Sequence, residues 1–205
     1  MKINIDNRYF PSEELEHSNA PYEMLAEHLS AVFEDYESLF DAGCRDGKLL
    51  AAIVARNSEI SIRGCDYFQF ALDTCPFSVK PFVFRWDLRD AFFDTTAHDI
   101  VVCTEVAEHI DKDYCHVFLS NLRKCCGKYL VITWSEHGGE NDIVNDQHLQ
   151  HLNPLDLNSY RTIVESHGFK LDIEKTGKLL SLMKNDYRSL SYWMESISIF
   201  SVGDS

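Results

Sequence analysis

The sequence predicts an α/β fold, a doubly wound sheet of about seven strands that is mostly parallel, with the last strand antiparallel. Three observations carry this expectation. Short apolar runs alternate with amphipathic helical patterns along most of the chain. The runs are continuously apolar rather than alternating, which is the signature of strands covered on both faces. Several of them end in a carboxylate just before a helix begins, as in open sheets whose carboxyl edge faces a ligand.

The elements follow in order. Residues 1–18 are polar and irregular and read as an arm or lid. Pro21 opens a helix carrying Tyr22, Leu25, Leu29, Val32, Phe33 and Tyr36 at three- and four-residue spacing. Strands are expected at Ser38–Ala42, Ile60–Cys65, Phe82–Trp86, Asp99–Cys103 and Lys128–Trp134. Helices are expected after Gly47, at Phe68–Thr74 and at Tyr114–Cys125, where Gly127 acts as the stop. A polar loop, Ser135–Asn153, is long for a connection, and Pro154 then starts a helix that Gly168 ends. The tail reads as strands Phe169–Ile173 and Ser196–Val202, separated by a polar stretch with a helix around Asp186–Trp193. No repeat, low-complexity tract or linker interrupts the pattern. Residues 1–205 read as one domain, an N-terminal arm and helix (1–36) on an α/β core (37–205).

Composition narrows the partners. A net charge of −14, from 33 acids against 19 bases, opposes binding to long nucleic acids or anionic membranes, whose phosphates need clustered Lys and Arg. Arg123-Lys124 with Lys128 is the densest basic cluster, and it is slight. No apolar run approaches the roughly 18 residues of a membrane span, and the first residues lack the apolar stretch of a secretory signal. The seven cysteines contain no Cys-x-x-Cys pair, so a zinc knuckle is not expected. Cys65 and Cys103 fall in buried strands, where a reduced thiol acts as a small apolar group. The expectation is a cytoplasmic protein that handles a small molecule, of undetermined oligomeric state.

The chemistry concentrates at Asp41-Ala42-Gly43-Cys44-Arg45-Asp46-Gly47. A strand-end carboxylate is followed by two glycines four apart and then by a helix. Such glycines let a ligand approach the main chain, and the helix start offers unpaired N–H groups. Asp66, Asp87 and Glu105 stand at or just beyond the ends of the next three strands. Each could serve only as a helix cap; four in this order would ring one crevice. Asp66, nineteen residues past Gly47, can accept from both hydroxyls of a ribose, and Asp87 from an adenine amine. Asp41 favours a cationic group or ordered water. A triphosphate site is excluded, because Lys48 is not part of Gly-x-x-x-x-Gly-Lys-Ser/Thr; Gly-x-Gly-x-x-Gly is absent as well.

This order of residues, continued by Asp99-Ile100-Val101-Val102-Cys103-Thr104-Glu105-Val106-Ala107-Glu108-His109-Ile110, resembles the class I S-adenosylmethionine-dependent methyltransferases over roughly residues 38–202. The resemblance implies a Rossmann-like sheet of seven strands and S-adenosylmethionine as cofactor. It places Gly43, Cys44 and Gly47 at the methionine part, Asp66 at the ribose, and Asp87 with Leu88 at the adenine. It further implies Tyr67 over the adenine face and Glu105 near the sulfonium. Where the family usually has glycine, this chain has Arg45. The expected activity is methylation of a small-molecule acceptor, on oxygen in preference to nitrogen or carbon. His109, His137 and His148 are the candidate bases, since imidazole titrates near neutrality.

Two other readings stay open. A helix starting near Glu105 would bring Glu105, Glu108 and His109 to one face, with His148 or His151 as a fourth metal ligand. That pattern is similar to the small-RNA terminal 2′-O-methyltransferases and to some quinone-pathway O-methyltransferases, although the run also occurs in this superfamily without metal; no metal residue is assigned. The Arg45 departure leaves room for a catalytically silent binding subunit. Trp134-Ser135-Glu136-His137-Gly138-Gly139 also resembles a set of small methyltransferases in which this loop faces the acceptor.

Overall fold

A computed structural model describes residues 19–91, 96–137, 151–184 and 193–203. Thirteen regular elements follow in the order α1 (Ala20–Val32), β1 (Ser38–Ala42), α2 (Lys48–Arg56), β2 (Ser61–Asp66), α3 (Gln69–Asp73), β3 (Val83–Arg85), β4 (His98–Cys103), α4 (Cys115–Cys125), β5 (Cys126–Ile132), α5 (Leu157–Glu165), β6 (Phe169–Leu171), α6 (Ile173–Met183) and β7 (Ser198–Val202), apart from short 3-10 turns. The strands form one sheet in the order β3-β2-β1-β4-β5-β7-β6. β7 alone runs antiparallel, between β5 and β6, so the expected late antiparallel strand is inserted beside the last parallel one.

The two faces bury separate apolar layers. On one, α1 (Leu25, Leu29), α2 (Leu49, Leu50, Ile53) and α6 (Leu179, Met183) pack on Leu39, Ile100 and Val131. On the other, α4 (Phe118, Leu119, Leu122) and α5 (Tyr160, Val164) pack on Phe40, Val101 and Leu130. β1 sends alternate side chains to opposite layers, as the two-residue period of a strand requires. A fully buried aliphatic or Phe side chain contributes about 1.5–3 kcal/mol here, which is why the central strands are continuously apolar.

Parallel register sets the carboxyl edge. Asp41 pairs with Gly64 on one side and Val102 on the other, and Asp66 with Arg85. The ends of β1, β2, β3 and β4 therefore lie along one edge, at the point where strand order reverses between β1 and β4, which is where open α/β sheets take ligands.

Four expectations need correction. Residues after Leu171 form α6 rather than a longer strand and a polar stretch. Asp172 caps α6 by accepting from the Lys175 N–H at 2.8 Å. The helix expected at 186–193 lies mostly outside the described residues. β5 begins at Cys126 without a turn, and Gly127 is a strand residue rather than a helix stop. A Cβ on Gly127 would come within 3.1 Å of the His98 carbonyl, so close strand approach explains the glycine. α5 begins at Leu157 rather than Pro154, where Asp156 accepts from the N–H groups of Asn158 and Ser159. No continuous helix starts at Glu105, whose φ is +58°; a 3-10 turn covers only Ala107–His109.

Candidate functional site

The loop between β1 and α2 alternates in handedness. Gly43, Arg45 and Gly47 have φ of +92°, +49° and +69°. Gly43 has no alternative, because a Cβ there would stand 2.2 Å from a methyl of Val106. The N–H groups of Gly43 and Cys44 both donate to the Cys65 carbonyl, at 2.8 and 2.9 Å, which ties the loop to the end of β2. Cys44 is buried, and burial pushes its thiol far above the ordinary range. It shapes the loop and is no nucleophile. Arg45 takes a left-handed backbone that ordinarily costs an L-residue about 1–2 kcal/mol. Glycine would adopt that conformation without the cost. Burial pushes the Tyr22 hydroxyl of α1 up, opposed first by the charge of Arg45 and then by a hydrogen bond to its side chain. The departure from glycine thus links the first helix to the loop.

The carboxylates divide into different states. Asp41 is 4% exposed, and burial, followed by Asp66 and Asp46, pushes it up to about 8. Asp66 is also raised by burial, but it is held by the N–H groups of Arg45 and Phe68, each at 2.8 Å. A carboxylate offers about four acceptor sites, so Asp66 can organise the loop and still receive ribose hydroxyls. Asp87 forms a two-pronged pair with Arg89, both contacts at 2.8 Å, and Leu88 beside it is buried. Tyr67 carries the guanidinium groups of Arg85 and Arg89 over its ring, at 5.5 and 5.6 Å. The Asp87 end of the crevice is therefore more neutral than its sequence indicates, whereas the Asp41 end is dominated by carboxylates.

Beyond β4, the Glu105 N–H donates to the Thr133 hydroxyl at 2.8 Å, and that hydroxyl donates to Glu105 Oε1 at 2.9 Å. Sequence reasoning missed Thr133; its signal was a lone hydroxyl inside the apolar run Val131–Trp134. It missed Gly64 as well, where a Cβ would lie 2.8 Å from Leu50 and 3.0 Å from Cys44. Glu108, with no exposure, packs beside His109 and His151. Of the three expected bases, His109 faces the His151 ring, with centroids 4.9 Å apart. His137 is largely exposed, with Nε2 3.7 Å from Glu195. His148 lies outside the described residues. Asp41, Gly43, Cys44, Gly47, Asp66, Tyr67, Asp87, Leu88 and Glu105 all stand at the carboxyl edge, at or just beyond the ends of β1–β4, as expected.

The backbone arrangement matches many solved structures of one kind. Magnesium protoporphyrin IX methyltransferase from Synechocystis, solved with bound SAM, shares 14% identity over 90% of this chain and 78% of its own, with a TM-score of 0.55. The chain has the methyltransferase fold. A TehB-like SAM-dependent methyltransferase from Corynebacterium glutamicum shares 14% identity over 88% of each chain, with a TM-score of 0.58. The plantazolicin methyltransferase BamL, solved with SAH and a triazolic desmethylPZN analog, shares 15% identity over 94% of this chain and 88% of its own, with a TM-score of 0.63. No family model and no curated protein matches the sequence. At these identities the likeness is one of fold, and it accounts for the position of the crevice without assigning its acceptor.

Proposed function

We propose that the chain is an S-adenosylmethionine-dependent methyltransferase acting on an oxygen of a small-molecule acceptor. The observation that supports this most directly is the left-handed loop Gly43–Gly47, braced by Asp66, within a methyltransferase fold. Bound adenosylmethionine supplies an activated methyl group on a positively charged sulfur. Asp66 takes the ribose hydroxyls, while Asp41 beside the loop keeps its proton at neutral pH and Asp46 is paired with Lys48 at 3.3 Å. Asp87, which accepts from the Arg89 backbone N–H and guanidinium, stands with Leu88 and Tyr67 at the end where the adenine would lie.

With the cofactor held by the Gly43–Gly47 loop and Asp66, an acceptor oxygen would take the methyl group as the carbon–sulfur bond breaks, its electron pair remaining on sulfur. The acceptor would lose its proton to a base or to solvent as the new bond forms. Alignment supplies the largest share of the acceleration, roughly 7–11 kcal/mol where reacting groups are held well. The net charge of −14 favours a small acceptor over RNA.

Calorimetric titration with adenosylmethionine and adenosylhomocysteine tests this reading. Saturable binding of both at one site per chain, weakened at least tenfold in Asp66→Ala, is the expected result. No binding at millimolar ligand overturns it. Binding without turnover over a broad acceptor panel identifies a silent binding subunit instead.

A further inference from the structure

Glu108 poses a chemical problem that the methyl-transfer reading leaves unsolved. Its side chain has no exposure, and neither carboxylate oxygen has a hydrogen-bond partner among the described residues. Burying a carboxylate without donors or a counter-charge costs several kcal/mol. Glu105, an acid close by, has the same sign and offers no counter-charge. What does approach Glu108 is a pair of imidazoles. One ligand atom each from Glu108, His109 and His151 lies within 4.8 Å of the others. Ligands at about 2.0–2.2 Å from one cation would close that spacing by small side-chain rotations.

The surroundings are built for this. His151 is 7% exposed, and its Nδ1 contacts the carbonyl of His137. A carbonyl can only accept, so Nδ1 carries the hydrogen and Nε2 presents a lone pair. Fixing the tautomer through the second ring nitrogen is what metal-ligating histidines do almost without exception. The segment bearing His151 is anchored at its far end, where the Asn153 N–H donates to the Glu108 carbonyl at 3.0 Å. The Trp134 indole N–H donates to the Asn153 carbonyl at 2.7 Å. Residues from two distant parts of the chain are thus locked at one point. Glu105, which the sequence pattern would include, is instead engaged with Thr133.

We infer that Glu108, His109 and His151 form a divalent-cation site at the acceptor end of the crevice. Two imidazoles and one carboxylate select a transition metal such as Zn²⁺, Co²⁺ or Fe²⁺ over Mg²⁺ or Ca²⁺, which prefer all-oxygen surroundings. Three protein ligands leave coordination positions open. The acceptor class that fits those positions presents two adjacent oxygens, a vicinal diol or hydroxy-carbonyl group, one of which is methylated. This acceptor assignment rests on the methyl-transfer reading; the cation site does not.

The test uses the untagged full chain stripped with a chelator, with no cofactor added. Titration with Co²⁺ followed by visible absorption, and with Zn²⁺ and Mg²⁺ by calorimetry, reads the site directly. One equivalent of Co²⁺ or Zn²⁺ is expected, bound at least a hundredfold more tightly than Mg²⁺. His151→Ala and Glu108→Gln should each weaken it tenfold or more. His109→Ala, at a half-buried position, serves if Glu108→Gln fails to fold. His116 and His167, whose rings meet at 2.9 Å on the surface, form another close histidine pair among the described residues, so His116→Ala is the control. Unchanged Co²⁺ binding in both His109→Ala and His151→Ala overturns the inference, as does loss confined to His116→Ala or no binding by the parent chain. Because cofactor calorimetry is separate, failure of the cation site and failure of the methyltransferase reading give different patterns.

Discussion

Asp41 should make this protein lose stability as pH rises, and Asp41→Asn should remove that loss. In the folded chain the carboxyl is pushed up to about 8 by burial and by Asp66 and Asp46. In the unfolded chain it titrates near its ordinary value of about 3.9. Between those limits the native state holds a proton that the unfolded state has released. Stability is therefore fully present below about pH 4 and falls by about 1.4 kcal/mol per pH unit until the folded group ionises near pH 8. The full loss is on the order of 5 kcal/mol, large against the 5–15 kcal/mol that holds a typical domain together. Asparagine keeps the size and polarity of the side chain and cannot ionise.

Urea unfolding of both proteins at pH 5, 7 and 9 measures the effect, since other titrating groups largely cancel in the difference. The advantage of Asp41→Asn should grow by about 2–3 kcal/mol between pH 5 and 7, and by a further 1–2 kcal/mol by pH 9. A difference that is constant over this range refutes the reasoning. It would mean that Asp41 is already ionised in the native protein at pH 5.

Two other substitutions probe the same loop. Gly43→Ala must fit a methyl 2.2 Å from Val106 on a backbone with φ of +92°, and should lose about 2–4 kcal/mol in denaturant unfolding from overpacking and left-handed strain together. Arg45→Gly relieves an unfavourable φ but frees the unfolded chain and cuts the link to Tyr22. Its stability should stay within about 1 kcal/mol of the parent, while calorimetry shows altered adenosylmethionine affinity. Unchanged affinity would remove Arg45 from the pocket.

The layered fold was legible because its signals are local. Continuous apolar runs such as Ile100–Cys103 can be satisfied only by burial on both faces. Helices with apolar residues three and four apart, such as α4, can bury only one. Asp41, Asp66 and Asp87 could be read as a set because parallel strands bring their carboxyl ends to one edge whatever lies between them. The misread elements were those whose pattern is ambiguous over a few residues. α6 leaves Ile173 exposed and sets Leu179 and Met183 among Lys and Glu, and its packing against α1 decides it. The start of β5 is set by the pairing of Cys126 with His98, which no window around Cys126 contains.

The sequence by itself determined the sheet, its covering helices and the residue types along the carboxyl edge, since spacing and polarity suffice for those. Only the tertiary structure decided which charges are neutralised and which are stranded. Asp87 meets Arg89 two residues away, but Glu108 meets His151 from more than forty residues away and finds no donor among the described residues. A carboxylate's state depends on what the rest of the chain folds against it. That dependence turned a helical Glu-x-x-Glu-His pattern into a pair of acids with different partners, Glu105 on Thr133 and Glu108 between two imidazoles.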